Sequence, residues 1–264
     1  MTVTINTLQQ RKQNQETFTC ITAYDASFTR LMNQVGIECL LIGDSLGMVL
    51  QGHKTTTSVT VDDICYHTAS VARANENSFI LADMPFMSFA TVDKALTNAE
   101  KLIRAGANMV KIECGAWAAD ITEKLHQNGI PVCAHIGLLP QAVHIEGGYK
   151  IQGKTPEQAA QMIKDAKTLE SAGCQMLLME CVLASTAKAV DEAINIPTIG
   201  IGAGPTTTGQ VLVMHDILGV YPTPPKFSKN FMKASGSIQE ALETYHLAVK
   251  NREFPSIEHS FTAD

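Results

Sequence analysis

The chain has 264 residues, 45% of them hydrophobic, and a formal net charge of −6. That suffices for one large domain with a substantial core, and the lack of any basic run argues against nucleic acid or an anionic membrane as a partner. The start, Met1 to Gln15, is polar and holds no apolar signal core, and no stretch nears the roughly 20 apolar residues of a membrane span. Seven cysteines form no CxxC pair, and Cys39, Cys133 and Cys174 lie in or beside apolar runs. They read as reduced, mostly buried thiols of a cytoplasmic protein.

Strand and helix signals alternate along nearly the whole chain. Short apolar runs predict strands at 19–24, 39–43, 79–82, 109–113, 132–136, 176–179, 198–201 and 211–214. Eight such runs fit an α/β fold of the closed (β/α)8 TIM-barrel type, whose usual size is about 250 residues. From Thr91, the positions Val92, Ala95, Leu96, Ala99, Leu102 and Ile103 recur at helical spacing, and Gly106 suits a left-handed stop. Thr155-Pro-Glu-Gln reads as a capping box with proline at the first helical position. Met162, Ile163, Ala166 and Leu169 line one face of the helix that follows. Arg104–Glu113 echoes Ser171–Glu180, and the segment from Gln34 to Asp44 is a looser copy, as repeated βα units produce. No linker divides the chain, so residues 1–264 read as a single barrel domain. A short N-terminal segment precedes it, and a helix over 238–250 sits in a C-terminal extension of about 222–264.

Four acids stand where apolar runs stop. Asp44 follows Leu40-Leu41-Ile42-Gly43, Asp83 follows Phe79-Ile80-Leu81-Ala82, Glu113 follows Met109-Val110-Lys111-Ile112, and Glu180 follows Met176-Leu177-Leu178-Met179. In one parallel sheet, all four would leave its C-terminal edge, where α/β proteins assemble sites. Four like charges at one rim repel, so a divalent cation and proton-transfer chemistry are the natural reasons for the placement. The plainer reading of Asp44 and Asp83 is a helix cap, whereas Glu113 and Glu180 are poor caps. Two aspartates from neighbouring strands suit Mg²⁺, which takes few carboxylates and keeps water and substrate oxygens. Zinc finds no close His/Cys cluster here.

Lys111 and Glu113, two apart on a strand, face the same side. Turned inward, Lys111 would find partners among the acids, since burying it unpaired is costly. Turned outward, it would lie at a helix–sheet boundary. Glu180 closes the most apolar strand, where desolvation would raise its pKa and make it a base near neutral pH. The alternative is a glutamate that turns to water. His135, in Val132-Cys-Ala-His-Ile-Gly137, reads equally as a structural hydrogen-bonding group or as a member of the site. Gly200-Ile-Gly-Ala-Gly204-Pro205 reads as a tight turn, because Pro205 spoils a dinucleotide fingerprint, with phosphate binding as the lesser option. The stretch from His144 to Gly153 reads as a long glycine-containing loop, either a mobile lid or an inert excursion. The loop from Gly47 to Ser58 could also fold over the site.

Taken in order, the motifs resemble the ketopantoate hydroxymethyltransferase family. They are Gly43-Asp-Ser-Leu-Gly-Met48, Leu81-Ala-Asp-Met-Pro-Phe86, Val110-Lys-Ile-Glu113, His135-Ile-Gly-Leu138, Gly147-Gly-Tyr-Lys150, Gly200-Ile-Gly-Ala-Gly204, Gly209-Gln-Val-Leu-Val-Met-His-Asp216 and Pro225-Lys-Phe227. The resemblance runs from about Thr19 to Phe231. It implies a barrel of the phosphoenolpyruvate/pyruvate-like superfamily with bound Mg²⁺, and transfer of a hydroxymethyl group from methylenetetrahydrofolate to 3-methyl-2-oxobutanoate. The product would be 2-dehydropantoate, formed through a Mg²⁺-stabilised enolate, on the route to pantothenate and coenzyme A. It further implies Asp44 and Asp83 as metal ligands, with Glu113 as the third acid at the metal, directly or through water. Asp44, Ser45, Asp83, Lys111 and His135 would face the substrate, and Glu180 would be the base. Members assemble as rings of dimers, commonly a homodecamer. Two departures are Cys114, where the family usually has glycine, and Thr208, where an acid is common, and neither removes a ligand or the base. The competing expectations are a carbon–carbon lyase or phosphonomutase of the same superfamily, a non-catalytic metabolite-binding barrel, and a phosphate-recognising barrel using Gly200–Gly204.

Overall fold

A computed structural model describes residues 2–148 and 150–262. Eight parallel strands close into a barrel in chain order. They are β1 (Phe18–Thr22), β2 (Cys39–Ile42), β3 (Phe79–Asp83), β4 (Met109–Glu113), β5 (Val132–Gly137), β6 (Met176–Glu180), β7 (Thr198–Ile201) and β8 (Gly209–Leu212). These runs are apolar on both faces because both faces are covered. One parity points into the barrel: Cys39 and Leu41, Phe79 and Leu81, Met176 and Leu178. The other parity points to the helices: Leu40 and Ile42, Ile80 and Ala82, Leu177 and Met179. Each fully buried Leu or Ile is worth about 1.5–3 kcal/mol, so the double coverage specifies each strand firmly. The eighth strand begins two residues earlier than its apolar run suggests. A Cβ on Gly209 would lie 2.4 Å from Phe18 Cζ, so glycine lets β8 close against β1.

The long helices are α1 (Ile5–Gln13), α2 (Ala26–Val35), α3 (Val61–Ala74), α4 (Val92–Ala105), α5 (Ala119–Gln127), α6 (Pro156–Ser171), α7 (Ala184–Ala193) and α8 (Ile238–Lys250). Helix α4 starts on Thr91, whose hydroxyl accepts from the Lys94 amide, and stops at Gly106 with φ +116°. At α6 the box is half made. Thr155 accepts from the Gln158 amide, but the Gln158 side chain accepts from Lys154 rather than from Thr155. Helix α8 packs on β1 and α2, and Tyr245 donates its hydroxyl to the Cys20 and Gln210 carbonyls across the β1–β8 seam. Among the described residues no helix separates β7 from β8. The C-terminal segment reaches this side instead, through Arg252 to the Pro205 carbonyl and the Ala184 amide to the Phe261 carbonyl.

Helix α1 was not legible in the polar start. Its Leu8 is fully buried and joins Phe18, Phe79, Met109 and Met176, the first inward residues of their strands, so it closes the N-terminal end of the barrel. The seven cysteines are all free, and all but Cys65 are buried.

Candidate active site

At the opposite end the strands open into a cavity of about 640 Å³. Its lining includes Asp44, Ser45, Asp83, Lys111, Glu113, His135 and Glu180. Strand parity explains the convergence. Lys111 and Glu113 share the inward face of β4, where register sets Lys111 beside Asp83 on β3 and Glu113 beside His135 on β5. Glu180 lies beside Gly137.

Neither aspartate caps a helix. The short helix Leu46–Val49 has Ser45 at its N-cap and no side-chain cap bond, and Asp83 Oδ2 accepts from the Asp44 amide at 3.1 Å, tying β3 to the end of β2. Lys111 is turned inward and 3% exposed, with Nζ 2.5 Å from Asp83 Oδ1. Burial alone would favour loss of its proton, but Asp83, Glu113 and Asp44 outweigh it and hold the ammonium charged. Burial and then Asp83 push the Asp44 carboxyl up to about 7, against the pull of Lys111 and Gln141. Burial likewise pushes Glu113 well above the usual carboxylate range. Glu113 Oε2 accepts from the Gln141 amide at 2.8 Å, while Oε1 is buried with no hydrogen-bond partner among the described residues.

His135 sits between two acids, Nδ1 3.7 Å from Glu113 Oε1 and Nε2 3.5 Å from Glu180 Oε2. Burial, then the charge of Lys111, hold its ring neutral. Glu180 is partly open to the cavity, its side chain 16% exposed. The backbone around it is unusual. Cys181 adopts φ +49°, uncommon for a residue with a side chain, and Gly137 has φ +97° where a Cβ would lie 2.5 Å from the Glu180 carbonyl oxygen. Ser45 Oγ is 2.9 Å from the hydroxyl of buried Tyr24.

Gln141 went unnoticed in the sequence. Its amide holds Glu113, and its Nε2 donates to Asp44 Oδ2 at 2.9 Å and to the Met84 carbonyl at 3.1 Å. A glutamine after a proline in a loop carries no signal of that role. Asp216 was also missed as an individual residue, although its motif was noted, and it too lines the cavity.

The 144–153 stretch is less uniform than a loop. His144 lies in a short helix, Val143–Glu146, while Tyr149 is outside the described residues. The far end is pinned near Glu180, where the Gln152 amide donates to the Cys181 carbonyl at 2.8 Å. The segment after β2 does reach the cavity, through Met48, Val49, His53, Lys54 and Thr56. Of Gly200–Gly204 only Ile201 lines it. Gly202 and Gly204 take positive φ in a tight turn, and the Gln210 side chain donates to the Gly204 carbonyl.

Among the described residues no group of three or more His, Cys, Asp or Glu side chains forms a ready metal cage. The donor set nonetheless suits a hard cation that keeps water and substrate oxygens as ligands. Burial and then Asp83 raise Asp44, and among the described residues Glu113 Oε1 is buried without a hydrogen-bond partner, as expected of a site that a cation would stabilise.

A closed parallel barrel whose C-terminal mouth gathers acids and a lysine around one cavity places the chain in the class of (β/α)8-barrel enzymes. The same fold occurs in phosphonopyruvate hydrolase, with a TM-score of 0.63 at 12% identity over 83% of this chain and 84% of that one. It occurs also in 2,3-dimethylmalate lyase, a PEP mutase/isocitrate lyase superfamily member, with a TM-score of 0.57 at 14% identity over 80% and 81%. The family model of ketopantoate hydroxymethyltransferase matches residues 2–257, and the chain belongs to that family. It is 53% identical over 260 residues to the 3-methyl-2-oxobutanoate hydroxymethyltransferase of Marinomonas sp. (strain MWYL1), covering 98% of this chain and 94% of that one. Against the enzyme of the same name from Shewanella oneidensis the identity is 54% over 260 residues, 98% of each chain.

Proposed function

We propose that this enzyme transfers a hydroxymethyl group from methylenetetrahydrofolate to 3-methyl-2-oxobutanoate, yielding 2-dehydropantoate and tetrahydrofolate with uptake of one water. The observation that carries the reading is the convergence of one buried, charged lysine and four carboxylates on a single cavity, in a chain more than half identical to enzymes of that name.

The difficult step is removal of a proton from the carbon beside the ketone. Glu180, the most exposed of the four acids, takes that proton on its carboxylate. The neutral ring of His135 faces Glu180 and moves no charge into the site. Lys111 sets a fixed positive charge where negative charge develops on the substrate oxygens. Ser45, steadied by Tyr24, binds the substrate beside it. Asp44 and Asp83, with Glu113 alongside, would hold Mg²⁺. When bound, that ion supplies Lewis-acid polarisation of the keto group and a template for the keto acid. The nucleophilic carbon then bonds to the one-carbon unit, water supplies its hydroxyl, and both bonds from that unit to folate nitrogens break, the two nitrogens taking up the substrate's proton and the remaining proton of the water. Gln141 keeps Asp44 and Glu113 aimed, and the segments after β2 and β5 screen the site from solvent.

The test is a coupled assay with the keto acid and methylenetetrahydrofolate, with and without EDTA, alongside deuterium exchange from solvent into the keto acid. Glu180→Gln should retain keto-acid binding and lose exchange by a factor of about 10²–10⁴. Undiminished exchange removes Glu180 as the base, and folate-independent turnover would favour a lyase of the same fold.

A further inference from the structure

Asp216 follows β8 in the short helix Met214–Ile217 and is 7% exposed. Its carboxylate lines the cavity, and among the described residues it has no hydrogen-bonding or charged partner. It caps no helix. The deprotonation chemistry described above does not use it. Burying a carboxylate without a partner is costly, and the cost shows as a pKa pushed up to about 6 by burial. A ligand that brings hydrogen-bond donors would remove that cost.

The surroundings narrow the ligand. Among the described residues Asp216 belongs to no group of three or more His, Cys, Asp or Glu side chains. The lining from the same stretch of chain is Val211, Val213, Tyr221, Thr223, Pro225 and Phe227, mostly apolar and in part flat, which suits an aromatic heterocycle. The cavity is also too large for the keto acid alone. At a water's share of about 30 Å³ for each non-hydrogen atom, that substrate fills at most roughly 240 Å³ of the 640 Å³ present.

We propose that Asp216 is the docking carboxylate for the second substrate, accepting the paired N–H groups on the 2-amino-4-oxo edge of a reduced pterin. This rests on the folate-dependent reading above. A carboxylate matches two parallel N–H donors in the fork geometry that fixes a planar ring in its own plane. The pterin lies over the β8 side of the mouth, and the keto acid lies among the acids of β2, β3 and β4.

The test is calorimetric titration of the Mg²⁺- and keto-acid-loaded enzyme with tetrahydrofolate. A second titrant is an analogue that carries methyl in place of the 2-amino group. The parent should bind tetrahydrofolate at least about tenfold more tightly than the analogue. Asp216→Asn should weaken tetrahydrofolate by a similar factor, bind the analogue no worse than the parent does, and change keto-acid affinity less than twofold. Losses that multiply, or an Asn variant that binds tetrahydrofolate like the parent, overturn the assignment. So does a parent that does not distinguish the two pterins, a measurement independent of whether any variant folds. A parent that binds neither pterin overturns the folate reading itself, together with this subsite.

Discussion

Lys111 Nζ lies 2.5 Å from Asp83 Oδ1 inside the barrel, on neighbouring strands whose register sets the two residues side by side. The pair is almost fully buried, so each partner is the other's chief compensation for lost water. Lys111→Met should therefore destabilise the protein by about 3–5 kcal/mol. Adding Asp83→Asn should recover part of that loss, because the stranded charge goes with it. Urea denaturation of the two single variants and the double variant measures the coupling. Strictly additive losses would show that the contact carries no stability.

Gln141 is a positioning residue, and its side chain is the only part of it that a substitution removes. Gln141→Leu should leave the backbone contact to Glu113 and free Asp44, at a cost of about 1–3 kcal/mol. A raised KM for the keto acid together with a lowered kcat would be the signature. Gln141→Glu should be worse than Leu, since it places an acceptor against Asp44 Oδ2. The opposite ranking would mean that only side-chain volume matters at this position.

Gly137 supports Glu180 through the backbone. Alanine there meets both an unsuitable φ of +97° and a carbonyl oxygen 2.5 Å from its Cβ. The expected cost is about 1–3 kcal/mol, and kcat should fall at least about tenfold as Glu180 shifts. Denaturation midpoints read the first effect and steady-state kinetics the second. Normal stability with normal kcat would refute the coupling.

Much of this arrangement was legible as letters. Apolar runs ending in an acid mark parallel strands, and a two-residue period is enough to turn Lys111, Glu113 and Glu180 toward one axis. Other parts could not be read. Asp44 as a cap and Asp44 as a site acid have identical sequences, and the structure separates them: Asp44 Oδ2 accepts from Gln141 Nε2, and Ser45 stands at the N-cap of the next helix. Leu8 looks like one apolar residue in a polar segment until the barrel supplies a hole for it. The start of β8 depends on the fit of the Phe18 ring over Gly209, a long-range contact that no local pattern encodes.

Far from the cavity, Glu38 ties three parts of the chain together. It accepts from the Thr19 amide and hydroxyl, and it pairs with Lys250 at 2.8 Å and Arg11 at 3.1 Å. Burial pushes its carboxyl up, but the bonds from Lys250 and Thr19 more than reverse this, so it sits below its ordinary 4.5. A lowered folded-state pKa means stability that is complete above the unfolded value and lost as pH falls through the folded one. Glu38→Gln should cost about 1–3 kcal/mol at pH 7, discounted for the partly exposed cations, and the difference from the parent should shrink toward pH 3. Thermal melts across that range test it, and a gap independent of pH would contradict the linkage.

The Leu8 plug has a kinetic corollary. With Leu8 closing the N-terminal end, the cavity faces the C-terminal mouth of the strands, so reactants stacked there would have to queue. Whichever reactant sits deeper has to arrive first, and whatever is made beneath the other cannot depart until its neighbour has gone.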